Sequence, residues 1–215
     1  MDDLSDDLRA ALDSDDPQEV FRAFAELDDS DDDPPFARVA RFFRHPDPLV
    51  RNGAVDVLAA TGRQEAIPYL LSALDDPELE YEAAMGLSDY SDSRVGEALF
   101  PRLRHPSHHV RLFAAQAMGK TGRHDAVPIL VELLGDSSEF VRENAAKALG
   151  LLESTIATRP LIEALGDHNQ TVRHVAAWAL ARIGSPEAVD ALLTLATDPS
   201  PGLRWYAENP GKRPA

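Results

Sequence analysis

Apolar residues recur along the chain with helical spacing, in a unit that repeats at a nearly constant interval. The first apolar residues of successive units are Val50, Leu79, Val110, Val141, Val172 and Leu203, at intervals of 29, 31, 31, 31 and 31. Small or apolar residues follow four, seven and eight positions later, and these offsets place them on one face of an α-helix. A second apolar run, such as AVPILVELL, closes each unit. The pattern predicts one helical hairpin in every unit.

Proline and glycine mark the ends of the predicted helices. Pro68, Pro128 and Pro160 lie near the start of the second helix, where a missing N–H costs little. The tripeptide TGR at 61–63 and 121–123, and Gly184 in a similar place, suit the end of the first helix. Because one hairpin cannot bury its own apolar face, successive hairpins must stack, and we predict an all-α solenoid.

The predicted boundaries follow from the same spacing. A short capping helix is expected over residues 1–13, and a partial repeat or cap over 197–215. Between them we predict six hairpins, at 14–44, 45–74, 75–104, 105–134, 135–165 and 166–196.

The repeated motif resembles that of the HEAT repeats, and most closely the short HEAT repeats of the phycobilisome-lyase-like group. It reads D-x-x-x-x-VR-x-x-AA-x-AL-G and is clearest at 136–150 and 167–184. The resemblance covers residues 45–205 well and 14–44 weakly. It implies a right-handed α-solenoid of about six hairpins, a fold that mostly serves as a binding scaffold and does not by itself give the function.

The charge of the chain is strongly negative and unevenly distributed. The formal net charge is -16, and residues 1–44 carry a net charge of -9. This field repels phosphate backbones and anionic lipids, so we expect neither a nucleic-acid nor a membrane partner. Only three of the 21 basic residues are lysines. This composition is typical of halophilic proteins but also of GC-rich genomes, and both explanations stay open.

An arginine recurs beside the first apolar residue of most units, and an aspartate precedes it in the turn. The arginines are Arg51, Arg111, Arg142, Arg173 and Arg204, and the aspartates are Asp47, Asp136, Asp167 and Asp198. Aspartate is a good helix N-cap, and arginine can bond to carboxylates or carbonyls. We interpret the series as a structural ladder, consistent with the HEAT resemblance, rather than as a basic binding stripe.

One unit breaks the pattern. The unit at 75–104 is two residues short, has Glu80 in the arginine position, and carries Tyr81 in the stretch ELEYE. Pro101 in its second helix predicts a kink. The irregularity is either neutral drift or an acidic, tyrosine-bearing patch at a binding face.

Trp178 is the second exception. It occupies a position that holds Asp56, Met85, Gln116 and Lys147 in other units, so we expect it to be largely exposed. It is either a partner-binding anchor or covered by a C-terminal cap through Trp205 and Tyr206. Trp178, His174, Glu80 and Tyr81 are the candidate partner-binding residues.

Catalytic and metal chemistry find little support in the sequence. There is no cysteine, and the acidic run DDSDDDPP at 28–35 has Pro34 where an EF-hand loop needs glycine. The histidines of RHPSHHVR fill turn positions without a completing carboxylate. Deoxyhypusine hydroxylase, an iron enzyme on a HEAT-like scaffold, uses His-Glu pairs, and no histidine here precedes a glutamate. We therefore assign no catalytic, cofactor-binding or metal-binding residue.

The sequence favours a non-catalytic protein-interaction scaffold that presents a concave helical-repeat surface to a protein partner with a basic or mixed-charge surface. The alternative is an accessory enzyme or a bilin lyase-like subunit, which the resemblance to phycobilisome-lyase-like repeats suggests. The acidic N-terminus and the lack of a run of about 20 apolar residues predict a cytoplasmic protein. We expect a monomer or a weak homo-oligomer.

Overall fold

The computed structural model describes residues 10, 11, 14, 19, 20, 22, 23, 36–210 and 212. Residues 36–210 form twelve α-helices, and none of the described residues lies in a strand, which confirms the predicted all-α class. The chain divides into two compact units, Met1–Val95 and Gly96–Ala215. In the described part, every helix is too short or too polar to cross a membrane.

From Phe36 onward, the first unit contains four helices and the start of a fifth. These are α1 (Phe36–Ala40), which continues as a 3₁₀ turn at Arg41–Arg44, α2 (Pro48–Ala60), α3 (Ile67–Ala73), α4 (Glu80–Leu87) and α5 (Ser93–Leu99), within which the division falls.

The second unit repeats the hairpin more regularly. After a 3₁₀ segment at Phe100–Arg104 come α6 (His108–Lys120), α7 (Val127–Leu133), α8 (Glu139–Leu151), α9 (Thr158–Ala164), α10 (Gln170–Ile183), α11 (Pro186–Leu193) and α12 (Pro201–Glu208). Helices α6, α8, α10 and α12 are first helices of their hairpins, and α7, α9 and α11 are second helices.

The core is built from the apolar positions that define the repeat. Val50, Leu79, Val110, Val141, Val172 and Leu203 are all at most 2% exposed. Burying a leucine or valine side chain contributes about 1.5–3 kcal/mol, so each of these positions favours the stacking of successive hairpins. Small residues let the first helices approach closely: a Cβ added to Gly119 would come within 2.8 Å of Ala148 Cα.

Glycine ends three of the first helices, as the sequence indicates. Gly62, Gly122 and Gly184 adopt the left-handed conformation, with φ of 60°, 68° and 62°. Glu153 occupies the equivalent place after α8 with φ of 47°, and it is the one non-glycine residue with positive φ in the described part of the chain. A side chain in this conformation costs free energy that glycine does not.

The irregular unit loses its two residues between Leu74 and Leu79, in the turn before its first helix, and that helix is also shorter than the others. α4 has 8 residues, whereas α2, α6 and α8 have 13 each. The expected kink at Pro101 is a change of helix type, because α5 ends at Leu99 and a 3₁₀ segment follows. The predicted capping helix at 1–13 lies outside the described residues except for Ala10 and Ala11, and the acidic run at 28–35 lies wholly outside them. The predicted repeat boundaries remain predictions.

Candidate functional site

Every arginine of the ladder donates hydrogen bonds to the backbone of its own turn. In each case Nη1 donates to the carbonyl oxygens of the residues six and five positions earlier, at 2.7–3.4 Å. For Arg142 these acceptors are Asp136 O and Ser137 O. This hydrogen bonding fixes the guanidinium at the same place in all five turns. The Nε and Nη2 atoms remain available to bind other groups.

Two of the arginines use that second edge to bind the next turn. Arg111 donates from Nε and Nη2 to the two carboxylate oxygens of Asp136, at 2.8 and 2.9 Å. Arg142 binds Asp167 in the same way, at 2.7 and 3.0 Å. The side chains of this second pair are 6% and 9% exposed. These bidentate pairs join α6 to α8 and α8 to α10.

The arginines in these pairs lower the pKa of the aspartates that they bind. Burial by itself would raise the pKa of Asp167, but hydrogen bonds from Arg142 and from Asn169 N–H, together with the guanidinium charge, lower it below its usual value. The same balance lowers the pKa of Asp136 beside Arg111. Both carboxylates are therefore ionised at neutral pH and bind their arginines as ion pairs.

The turn positions require one correction to the predicted ladder. Asp136, Asp167 and Asp198 each accept a hydrogen bond from the N–H two residues later. Asp47 lies two positions further along its own turn and caps α2, accepting from Leu49 N–H at 2.9 Å. It is therefore not equivalent to the other three.

Histidine replaces aspartate at two of these turns. His45 Nδ1 accepts from Asp47 N–H, and His105 Nδ1 accepts from Ser107 N–H, both at 3.1 Å. Each ring is thus used as the local turn acceptor that aspartate provides elsewhere. In the first unit, the carboxylate for Arg51 comes instead from Glu78, in the shortened turn before α4.

Trp178 is half-buried, which corrects the expectation that it is largely exposed. Its ring lies against Gly150 of α8, where a Cβ would come within 2.6 Å of Trp178 Cζ3. The Arg182 guanidinium lies over the ring, 5.4 Å from its centroid, and donates to Glu153 Oε1 at 3.0 Å. Glu153, the residue with positive φ after α8, therefore positions Arg182 over the indole of Trp178.

The other three candidate partner-binding residues lie in different surroundings. His174 shares α10 with Trp178, but its Nε2 is 2.8 Å from Ser200 Oγ, and its ring packs on Gly202 of α12. Glu80 and Tyr81 occupy the first turn of α4 in the first unit, where Glu80 is half-buried and Tyr81 is exposed. The structure thus places the four residues as two pairs, one in each unit.

An open groove of about 420 Å³ lies between the second helices α7 and α9. Val131, Leu134 and Pro160 line it together with the carboxylate residues Glu132, Glu163 and Asp167. Glu132 pairs with Arg104 at 2.8 Å, and both side chains are more than half exposed. Glu132 and Glu163 occupy the same position in successive repeats, so the repeat spacing alone could have identified them.

The first unit has a groove of different charge. It has a volume of about 490 Å³ and lies beside α1 and α3. Arg41, Arg44 and Asp76 line it with Phe43 and Ser72. This groove is thus of mixed charge, whereas the groove between α7 and α9 is acidic.

An acidic pair lies on the first helices of the first unit. Burial raises the pKa of Glu82 on α4, and the negative charge of Asp56 on α2 adds to the rise. Partial burial of the carboxylate also raises the pKa of Asp56, although the residue as a whole is exposed. Asn52 Nδ2 donates to Glu82 Oε1 at 2.9 Å. The hydrogen bond from Asn52 therefore holds the Glu82 carboxylate in place, while burial and the Asp56 charge destabilise its ionised form.

We expect the Glu82→Gln substitution to raise the melting temperature at pH 7. Glutamine keeps an acceptor for Asn52 and removes the charge that burial and Asp56 penalise. Because the pKa of Glu82 is raised in the folded state, its ionised carboxylate destabilises the fold above that pKa. This destabilisation vanishes below the unfolded value of about 4.3. Solvent screening limits the gain to less than about 1 kcal/mol, which corresponds to a rise below about 4 °C. Calorimetry at pH 7 and pH 3 should show the rise only at pH 7.

The exposed Glu65→Gln variant, which makes the same charge change in the same unit, is the control. An equal rise for both variants, or a rise for Glu82→Gln that persists at pH 3, would contradict the assignment of the penalty to the buried carboxylate.

Sequence comparison identifies matches to the HEAT repeats along most of the chain. The matched segments are residues 2–88, 35–110, 71–150, 96–174 and 135–208. No curated protein matches the chain.

Solved structures share the fold at low sequence identity. An engineered protein is similar with a TM-score of 0.66 and 21% identity, over 82% of this chain and 94% of its own. A designed armadillo repeat protein in complex with the peptide (KR)4 has a TM-score of 0.66 and 20% identity, over 81% and 97%. The complex of CpcE and CpcF of phycocyanin lyase from Nostoc sp. PCC7120 has a TM-score of 0.61 and 18% identity, over 97% and 96%. These likenesses concern the fold alone.

Proposed function

The chain belongs to the HEAT repeats, and on that premise we propose that it is a non-catalytic scaffold that binds a protein partner through the concave surface of its second helices. In a stacked repeat, the apolar face of each hairpin is used by its neighbours. The second helices and the turns before them then remain as an extended surface for another molecule. This assignment gives the protein a binding role and no reaction.

The acidic groove between α7 and α9 is the observation that carries the proposal. Its apolar lining, from Val131, Leu134 and Pro160, suits the aliphatic part of a long side chain. Among the described residues no hydrogen bond or ion pair reaches the Glu163 carboxylate, and the exposed Glu132 carboxylate is paired with Arg104. Lysine or arginine side chains of a partner would satisfy both carboxylates.

The charge of the whole protein supports the same partner chemistry. A net charge of -16 attracts basic segments over long distances and speeds their association at low salt. The designed armadillo repeat protein with a (KR)4 peptide shows that a related fold can hold a segment of this composition. We therefore favour a lysine- and arginine-rich protein segment as the partner.

Fluorescence anisotropy with a labelled (Lys-Arg)4 peptide tests the proposal. We expect saturable binding that weakens with salt, and about tenfold weaker binding to the Glu132→Gln/Glu163→Gln double variant, since each exposed pair accounts for a few-fold. The Glu143→Gln variant, which alters α8 on a first helix, should bind like the parent chain. Equal binding to all three proteins, or equal binding of a poly-glutamate peptide, would contradict the groove assignment.

A lyase-like or accessory-enzyme role is the second candidate. The likeness to the CpcE–CpcF complex extends over nearly the full length of both chains, which favours this candidate over other enzymatic roles. If the protein handles a bilin, mixing the two should shift the visible absorption of the bilin at micromolar concentration. An unchanged spectrum would remove this candidate and leave the scaffold.

A further inference from the structure

The groove beside α1 and α3 and the groove between α7 and α9 occupy the same place in the repeat. The turns after α1 and α7 are equivalent, because His45 Nδ1 and Asp136 Oδ1 each accept from the N–H two residues later. Asp76 and Asp167 do the same one repeat further on. Counted from these turn residues, three lining positions differ in charge. Arg41, Arg44 and Ser72 stand where the second groove has Glu132, Gly135 and Glu163.

Arg44 lacks the carboxylate that the equivalent arginine binds in a later repeat. Arg44 and Arg104 each directly precede the turn histidine of an RHP sequence. Both terminal nitrogens of Arg104 contact the carboxylate of Glu132, 28 residues later, at 2.8 and 3.1 Å. The residue 28 positions after Arg44 is Ser72, whose hydroxyl donates to a backbone carbonyl of its own helix at 2.6 Å. Among the described residues, no hydrogen bond or ion pair reaches the exposed guanidinium of Arg44.

The groove around Arg44 is positive within an acidic protein. Arg41 and Arg44 line it together with one carboxylate, that of Asp76, which already accepts from the Glu78 N–H at 3.0 Å. Residues 36–79 hold five basic and six acidic side chains, so this part of the chain is nearly neutral, whereas the whole chain has a net charge of -16. The largely buried Phe43 adds an apolar surface. A carboxylate with an apolar neighbour complements this lining.

We propose that the groove beside α1 and α3 binds an acidic segment of a partner protein, in which a glutamate or aspartate takes the place at Arg44 that Glu132 takes at Arg104. The carboxylate accepts from both terminal nitrogens of Arg44, Arg41 adds positive charge beside it, and an apolar neighbour in the segment lies against Phe43. This inference rests on the proposed scaffold function, to which it adds a second groove of opposite charge preference. Equivalent positions of the repeat thus select basic groups in one groove and acidic groups in the other.

Fluorescence anisotropy with a labelled (Glu-Ala)4 peptide tests the proposal. At about 0.15 M salt the distant negative charges of the chain are largely screened. We expect saturable binding, weaker than that of (Lys-Arg)4 because the net charge of the chain still disfavours an acidic peptide. Arg44→Gln should weaken it about fivefold, which corresponds to one exposed bidentate pair. Arg63→Gln makes the same charge change in the turn after α2 and should bind the peptide like the parent chain.

The Ser72→Glu variant tests the same contact without removing an arginine. It gives Arg44 a carboxylate at the position from which Glu132 binds Arg104, so the peptide has to compete with it. We expect about tenfold weaker peptide binding and a melting temperature no lower than that of the parent chain. Ser72→Gln, which adds a side chain of the same size without the charge, should bind the peptide like the parent.

Four results would overturn the proposal: no binding at about 1 mM peptide, undiminished binding to Arg44→Gln, undiminished binding to Ser72→Glu, or equally tight binding of oligo(dT), which would indicate a general polyanion site. Binding that appears only after the aspartates of residues 28–33 are changed to asparagine would assign the groove to the acidic run of the chain itself. If (Lys-Arg)4 still binds in these cases, and Glu132→Gln/Glu163→Gln still weakens it, the scaffold function stands without the Arg44 groove.

Discussion

At pH 7, the Asp167→Asn variant is expected to have a free energy of unfolding about 3 kcal/mol below that of the parent chain. Arg142 is buried and loses the carboxylate that accepts from both Nε and Nη2. An asparagine offers one oxygen and turns N–H donors toward the remaining guanidinium donors. The loss falls at the lower end of the range for a broken buried pair because Asp136 and Glu139 still lie near the Arg142 charge.

The difference in the free energy of unfolding between the Asp167→Asn variant and the parent chain should become smaller in acid. The pKa of Asp167 is lowered in the folded state, so the pair stabilises the fold above the unfolded value of about 3.9. That contribution is lost as the pH falls below about 4 toward the folded-state pKa. Urea unfolding followed by circular dichroism at pH 7 and at pH values below 4 measures both the loss and its decline.

The exposed pair of Arg104 and Glu132 is the matched control. Both of its side chains are more than half exposed, so Glu132→Gln should cost less than about 1 kcal/mol. If Asp167→Asn cost no more than this control, the ladder pair would not be a main determinant of stability.

The Gly150→Ala variant is expected to lower the free energy of unfolding and to shift the fluorescence of Trp178. A Cβ at this position would lie 2.6 Å from Trp178 Cζ3 and 2.8 Å from Ala179 Cα. One of these atoms belongs to the backbone of α10, so the helices must separate. Overpacking of this kind costs about 1–3 kcal/mol. Replacing a helical glycine by alanine returns about 0.5–1 kcal/mol, so we expect a net loss between about 0 and about 2.5 kcal/mol, centred near about 1 kcal/mol.

Gly135→Ala is the control for this steric argument. A Cβ there would meet nothing closer than Glu132 O at 3.6 Å, so its effect should stay within about 0.5 kcal/mol. Thermal unfolding and tryptophan emission of both variants measure the difference. A Gly150→Ala protein as stable as its parent, with unchanged emission, would show that α8 and α10 tolerate the added methyl group.

The helices and their order could be predicted because their signals are local. The buried series from Val50 to Leu203, the prolines at helix starts and Gly184 at a helix end all act within a few residues. The same spacing located the irregular unit at 75–104. It was harder to predict which turn positions are equivalent. Asp47 and Asp136 both precede an arginine, but by different numbers of residues.

Contacts between successive repeats could not be predicted in the same way. The sequence pairs each aspartate with the arginine of its own turn, whereas Asp136 and Asp167 bind the arginines of the preceding helices. Trp178 fills a position that is polar in most units, and its burial depends on the missing side chain of Gly150. Neither feature leaves a periodic signal.

The sequence by itself determined that this protein is a stack of helical hairpins of the HEAT type, because apolar period and turn chemistry are properties of neighbouring residues. The tertiary structure decided which carboxylate each arginine binds, where Trp178 lies, and that Glu132 and Glu163 line one groove. These depend on how closely successive helices approach, and that distance is set by packing across the repeat rather than by any single segment.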